Sequence, residues 1–107
     1  MSRKVLKTPY AVLDLAEQAE FIAADNIDAA LAFLEAAERD FALLAQRPRA
    51  GVRRKIGRKE LGEVRSWPIG GFENHVIFYR PIAGSPGGVE ILRVLYGSRD
   101  VGLILNK

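Results

Sequence analysis

Three apolar runs in the second half of the chain, Val64–Ile69, His75–Ile82 and Val89–Tyr96, are separated by the glycine-rich connections GGFEN and AGSPGG, where a chain reverses between neighbouring strands. They predict an antiparallel meander. In the second run Val76, Phe78 and Arg80 alternate with His75, Ile77 and Tyr79. In the third, Val89, Ile91, Arg93 and Leu95 alternate with Glu90, Leu92, Val94 and Tyr96. Each strand therefore has one face that is apolar or nearly so and another carrying a single arginine among hydrophobes. An unpaired buried cation costs several kcal/mol, so each guanidinium must meet water, a carboxylate or a partner molecule. Arg80 and Arg93 are thus the first functional candidates.

The first half reads as helical. Lys4–Lys7 (KVLK) has the length and the Val-Leu centre of a short strand, and Thr8-Pro9 follows as N-cap and first helical residue. From Pro9 to about Ala24, Val12, Leu15, Ala16, Ala19, Ile22 and Ala23 recur at spacings of three and four, with Asp14, Glu17, Gln18 and Glu20 on the other side. Asp25-Asn26 interrupts the pattern. A second helix, with Ile27, Ala30, Leu31, Leu34, Ala37, Phe41 and Leu44 on its apolar stripe, runs to about Gln46. So short a joint folds the two helices back on each other. Arg47-Pro48-Arg49-Ala50-Gly51 ends the second helix. Val52–Glu63, poor in alternation and rich in charge, suggests an irregular or edge-strand approach to the meander. The apolar segment Val101–Leu105 has to dock somewhere. The expected fold is α+β: a two-helix hairpin packed on a small antiparallel sheet in the order β-α-α-β-β-β, one domain over residues 1–107. One sheet face is covered by helices and the other is left partly open.

Composition narrows the chemistry. The 107 residues contain no cysteine and one histidine, which excludes a disulfide framework, a thiolate metal site and a multi-histidine metal site. GGFEN and GSPGG lack the strand–loop–helix context and the lysine of a phosphate loop, and no cofactor is expected. The opening residues MSRKVLKTPY have no apolar signal-peptide core, and no run approaches the roughly 20 apolar residues of a membrane span. A cytoplasmic protein without membrane contact is expected. The net charge of +3 conceals a polarity: residues 1–47 carry five Lys/Arg against eight carboxylates, residues 48–107 eleven against five. Arg49, Arg53, Arg54, Lys55, Arg58 and Lys59 fall in one eleven-residue stretch without an acid. That field favours an acidic partner or a phosphate backbone, although a solvated basic loop explains any single residue equally well.

The segments TPYAVLDLAEQAEFIAADNIDAALAF, LAQRPRAGVRRKI, VRSWPIGGFENHVIFYRPI and ILRVLYGSRD, in the order strand, two helices, meander, resemble the ParE branch of the RelE/ParE toxins of bacterial toxin–antitoxin modules. The resemblance covers essentially the whole chain. Its most specific pieces are Val64-Arg65-Ser66, Ile77-Phe78-Tyr79-Arg80 and Leu92 to Asp100, with Tyr96 where the family usually has histidine. It implies a toxin of a plasmid-stabilising module, held inactive by a cognate ParD-like antitoxin whose acidic C-terminal segment wraps the toxin. ParE-like members inhibit DNA gyrase by binding it, whereas RelE-like members cut messenger RNA on the ribosome.

Cutting RNA through its 2′-hydroxyl requires a proton acceptor, a proton donor and cations for the phosphorane. Arg65 and Arg99 match positions where RelE-like enzymes hold catalytic arginines, yet the tyrosine of those enzymes falls by spacing on Leu105. The expectation is therefore a gyrase-binding inhibitor without catalysis of its own, the alternatives being a RelE-like endonuclease and a non-toxic interaction protein. Arg65, Tyr79, Arg80, Arg93, Tyr96 and Arg99 are the candidate antitoxin or target contacts, and Arg53, Arg54, Lys55, Arg58 and Lys59 the basic patch. Each has a structural alternative. Arg80 and Arg93 can pair across the sheet with Glu63 or Glu90, and Arg65 can lie over an aromatic ring. Tyr79 and Tyr96 can pack with a hydroxyl at the sheet edge, and Arg99 can pair with Asp100.

Overall fold

The computed structural model describes residues 3–55 and 62–97. Strand β1 (Lys4–Lys7) leads into helix α1 (Pro9–Ala23), and α2 (Ile27–Gln46) returns antiparallel to it. Strands β2 (Val52–Arg54), β3 (Val64–Ile69), β4 (Phe72–Ile82) and β5 (Gly88–Tyr96) follow. Both helix starts are capped as their sequences predict. The Thr8 hydroxyl oxygen accepts from the Ala11 amide at 3.1 Å, and Asn26 Oδ1 accepts from the Ala29 amide at 3.0 Å.

The sheet is five-stranded and mixed, in the order β1-β5-β4-β3-β2. The meander β3–β4–β5 is antiparallel as expected, but the two short strands enlarge it at opposite edges. β2 pairs antiparallel with β3 through Val52 and Ser66, and β1 pairs parallel with β5 through Val5 and Val89. The α+β class and the helical hairpin stand, while the small all-antiparallel sheet is corrected. A parallel neighbour distant in sequence leaves no local pattern to read.

Two apolar clusters lie on opposite sides of the sheet. Beneath the helices, Phe33, Phe41 and Leu44 of α2 meet Ile69, Ile77, Tyr79, Val89, Ile91 and Val94. On the far side Val64, Phe78, Leu92 and Leu95 form a second cluster, each at most 9% exposed. The expectation of a partly open sheet face is therefore overturned at its centre, because burying these side chains is worth about 1.5–3 kcal/mol each and the fold takes that gain.

A bulge in β5 explains why simple alternation misassigns that strand. Phe78 stands opposite Arg93 and Tyr79 opposite Ile91, which leaves Leu92 as an extra residue in the ladder. Val89, Ile91 and Val94 consequently belong to the helix-side core, and Leu92 and Leu95 to the far cluster. Arg93 is turned towards α1.

Candidate functional site

Strand β5 continues past the last residue of β1, whose pairing ends at Lys7 with Ile91. From Leu92 onward the β5 edge needs other hydrogen-bond partners, and α1 lies along it. The Thr8 hydroxyl donates to the Leu92 carbonyl at 2.7 Å, Gln18 Nε2 donates to the Val94 carbonyl at 2.8 Å, and the Val94 amide donates to Asp14 Oδ2 at 3.0 Å. The predicted solvent positions of Asp14 and Gln18 are thereby corrected: Asp14 is 7% exposed, whereas Val12, placed in the core by its spacing, is 53% exposed. A polar stripe that satisfies a strand edge has the same period as one that meets water.

Arg93 completes this seam. Its Nε and NH2 donate to the two Asp14 oxygens at 2.8 and 2.9 Å, and its guanidinium carbon lies 5.7 Å from the Tyr10 ring centroid. The carboxylate, followed by the opposing effect of burial, leaves the guanidinium pKa above its ordinary value. The partner is Asp14 on α1, not Glu63 or Glu90 across the sheet.

Arg65 and Tyr79 form a latch at the other end of the helical layer. The Tyr79 hydroxyl donates to the Pro48 carbonyl and accepts from the Gly51 amide, both at 2.8 Å. Arg65 NH1 donates to the Gly51 carbonyl at 2.8 Å and to the Arg49 carbonyl at 3.1 Å, while its Nε pairs with Glu63. Together they clamp the connection that leaves α2. Tyr79 is fully buried, so it packs as its structural alternative has it, but its hydroxyl lies inside rather than at the sheet edge, and the side chain is not a partner contact. Burial pushes its phenol above the ordinary range, against the smaller pull of the Gly51 hydrogen bond and Arg65. Hydrogen bonding by Arg65 holds the Glu63 carboxyl below its usual value. Arg65 does not lie over Trp67, whose indole instead donates to Asp40 at 3.3 Å.

Arg80 faces away from the helices beside Phe78 and makes the cross-strand pair that its register allows, donating to Glu90 Oε1 at 2.7 Å. Three sequence-predicted arginines thus have separate carboxylates in three separate places, and the fold does not bring them to one point. Tyr96 stands apart from them at the end of β5, 64% exposed, with its ring 4.8 Å from His75.

Of the basic patch, Arg53, Arg54 and Lys55 are all exposed. Every residue of the outermost strand β2 is exposed, and Arg54 reaches over the Phe78 ring at 5.9 Å to donate to the Ser66 hydroxyl at 3.3 Å. Arg58, Lys59, Arg99 and Val101–Leu105 lie outside the described residues. Among the described residues, positive surface is therefore found on the β2 edge rather than on an open cationic plate in mid-sheet. Among the described residues no group of three or more His, Asp or Glu side chains has metal-binding geometry, and no helix is long and apolar enough to cross a membrane.

Sequence reasoning left His75 outside the candidate site. It is 8% exposed and packed against Phe33 at 4.6 Å, with Nδ1 2.7 Å from Gln18 Oε1. Burial lowers its pKa. Its place in the alternation with Ile77 and Tyr79, both core residues, was the available signal.

The family model for the ParE toxin of the type II toxin–antitoxin system parDE matches residues 5–101, a span that holds both helices and strands β2 to β5. No curated protein matches the chain.

Proposed function

Because the chain belongs to the ParE toxins of type II toxin–antitoxin systems, we propose that it acts in the cytoplasm by binding DNA gyrase, without catalysis of its own, and is neutralised by a cognate ParD-like antitoxin. The observation that carries the non-catalytic reading is the commitment of Arg65, Arg80 and Arg93 to Glu63, Glu90 and Asp14. A guanidinium that stabilises a phosphorane must be aimed at the reacting phosphate beside a proton donor and acceptor, and these three are aimed at internal carboxylates in different parts of the fold. The Tyr79 phenol, buried and raised in pKa, is poorly placed to exchange a proton with a substrate.

The antitoxin reading is supported by the β2 edge. An exposed strand at the end of a sheet, bearing Arg53 and Arg54, suits an extended acidic segment through backbone pairing and charge together. Supercoiling by purified gyrase, measured with and without the protein, tests the target. Inhibition that saturates with the protein is expected, and unaffected supercoiling at large excess overturns it. Discrete codon-phased cuts in translated messages after induction would instead establish the endonuclease.

A further inference from the structure

A cleft of about 460 Å³ opens between α1 and the ends of β4 and β5, lined by Glu17, Gln18, Phe21, Ile22, His75 and Tyr96. Its two large aromatic walls stand mostly in water, Phe21 at 78% and Tyr96 at 64% exposure. The floor is different. His75 is nine-tenths buried, and its hydrogen-bonding state follows from its neighbour.

Gln18 Nε2 donates to the Val94 carbonyl, so the oxygen end of that amide faces the imidazole. Reversing the amide would set two oxygens against each other. Gln18 Oε1 therefore accepts, His75 Nδ1 carries the proton, and the neutral ring keeps a lone pair at Nε2. The bond to Gln18 is the ring's one hydrogen bond among the described residues, and no fully buried side-chain nitrogen or oxygen there lacks a partner. The ring lines the cleft, and its Nε2 has no partner among the described residues.

One carboxylate, Glu17, lines the cleft, and the helical hairpin that carries it is acidic in sequence. Residues 8–38 contain seven carboxylates and no lysine or arginine. Asp14 is held by Arg93 and Glu38 by Lys7, while Glu17, Glu20, Asp25, Asp28 and Glu35 are exposed and make no ion pair among the described residues. A ligand suited to this cleft is a hydrogen-bond donor, positively charged, with a flat head and an apolar stem.

We propose that the cleft is a socket for an arginine side chain presented by a partner protein. One guanidinium N–H donates to His75 Nε2, the charge faces Glu17, and the plane and stem lie against Tyr96, Phe21 and Ile22. A neutral acceptor at the floor offers nothing to a carboxylate, and aromatic walls favour the planar guanidinium over the compact ammonium of lysine. The chain makes a comparable arrangement for itself nearby on α1, where Arg93 sits between the Asp14 carboxylate and the Tyr10 ring. Nothing in this inference depends on gyrase being the target.

N-Acetyl-arginine amide, with N-acetyl-citrulline amide as the uncharged control of similar shape, can be titrated into the intact protein while the imidazole is followed by NMR. His75 is the chain's one histidine, so its signals are unambiguous. A saturable shift in the millimolar range is expected for arginine, with citrulline at least about tenfold weaker. Tyr96→Ala and Glu17→Gln, at exposed positions outside both cores, should each weaken the response while leaving the thermal midpoint close to that of the parent. A shift that does not saturate, an equal response to citrulline, or unchanged binding in both variants overturns the proposal.

Discussion

Replacing Asp14 with alanine removes both hydrogen bonds to Arg93 and the acceptor of the Val94 amide. Breaking a buried ion pair by deleting one partner costs about 3–5 kcal/mol. The Arg93 side chain is 26% exposed against 9% for Asp14, so water relieves part of the stranded charge and the lower end applies, about 3 kcal/mol with the orphaned amide included. For a domain of this size that lowers Tm by roughly 15 °C. Arg93→Ala should cost less, about 2 kcal/mol, because Asp14 keeps the Val94 amide as a donor. A double-mutant cycle should then return a coupling of about 2 kcal/mol. Urea unfolding followed through Trp67, the single tryptophan, supplies all four corners. Losses below about 0.5 kcal/mol for Asp14→Ala, or a coupling near zero, would refute the view that this pair seals the free edge of β5.

Two further outcomes follow from the same geometry. A Cβ at Gly51 would lie 2.5 Å from the Tyr79 hydroxyl and 2.7 Å from the Ser66 carbonyl, so Gly51→Ala should cost about 2–3 kcal/mol in urea unfolding. It should cost measurably less in a Tyr79→Phe background, where the nearer of the two clashing oxygens is gone; equal penalties in the two backgrounds would contradict the latch. His75 has its pKa lowered by burial, so the folded chain binds fewer protons than the unfolded chain below the unfolded value of about 6.5. The imidazole's contribution to stability is fully present above that pH and is lost as pH falls from there through the folded pKa. The urea midpoint of the parent should drop more steeply than that of His75→Phe across this window, and parallel profiles would count against it.

Most elements were legible because each depends on residues close in sequence. Thr8-Pro9 and Asn26 start helices by local capping, and β3 falls on its apolar run from Val64 to Ile69. The start of β4 was not. Phe72, Glu73 and Asn74 belong to the strand, since Gly70 and Gly71 suffice for the turn, with Asp40 Oδ2 accepting from the Gly70 amide at 2.8 Å. The polar pair Glu73-Asn74 reads as loop although it lies within the strand, where the Asn74 carbonyl accepts from the Gly97 amide at 2.8 Å.

The arginines show where periodicity stops being informative. It separates two faces of an element, yet a strand has edges as well as faces, and the side chains that serve an edge follow neither assignment. Arg80, in regular register, meets Glu90 as a cross-strand partner should. Arg93 stands beside an inserted Leu92 on a strand that outruns its neighbour, and both facts depend on which distant segment pairs with β5. Its partner was therefore hidden in a helix 79 residues away, on what looked like the solvent side. The internal neutralisation of Arg93 also moves the expected antitoxin contact. A charge already satisfied by Asp14 contributes little to an incoming acid, whereas Arg53 and Arg54, exposed on the last strand of the sheet and in no ion pair among the described residues, remain open to one.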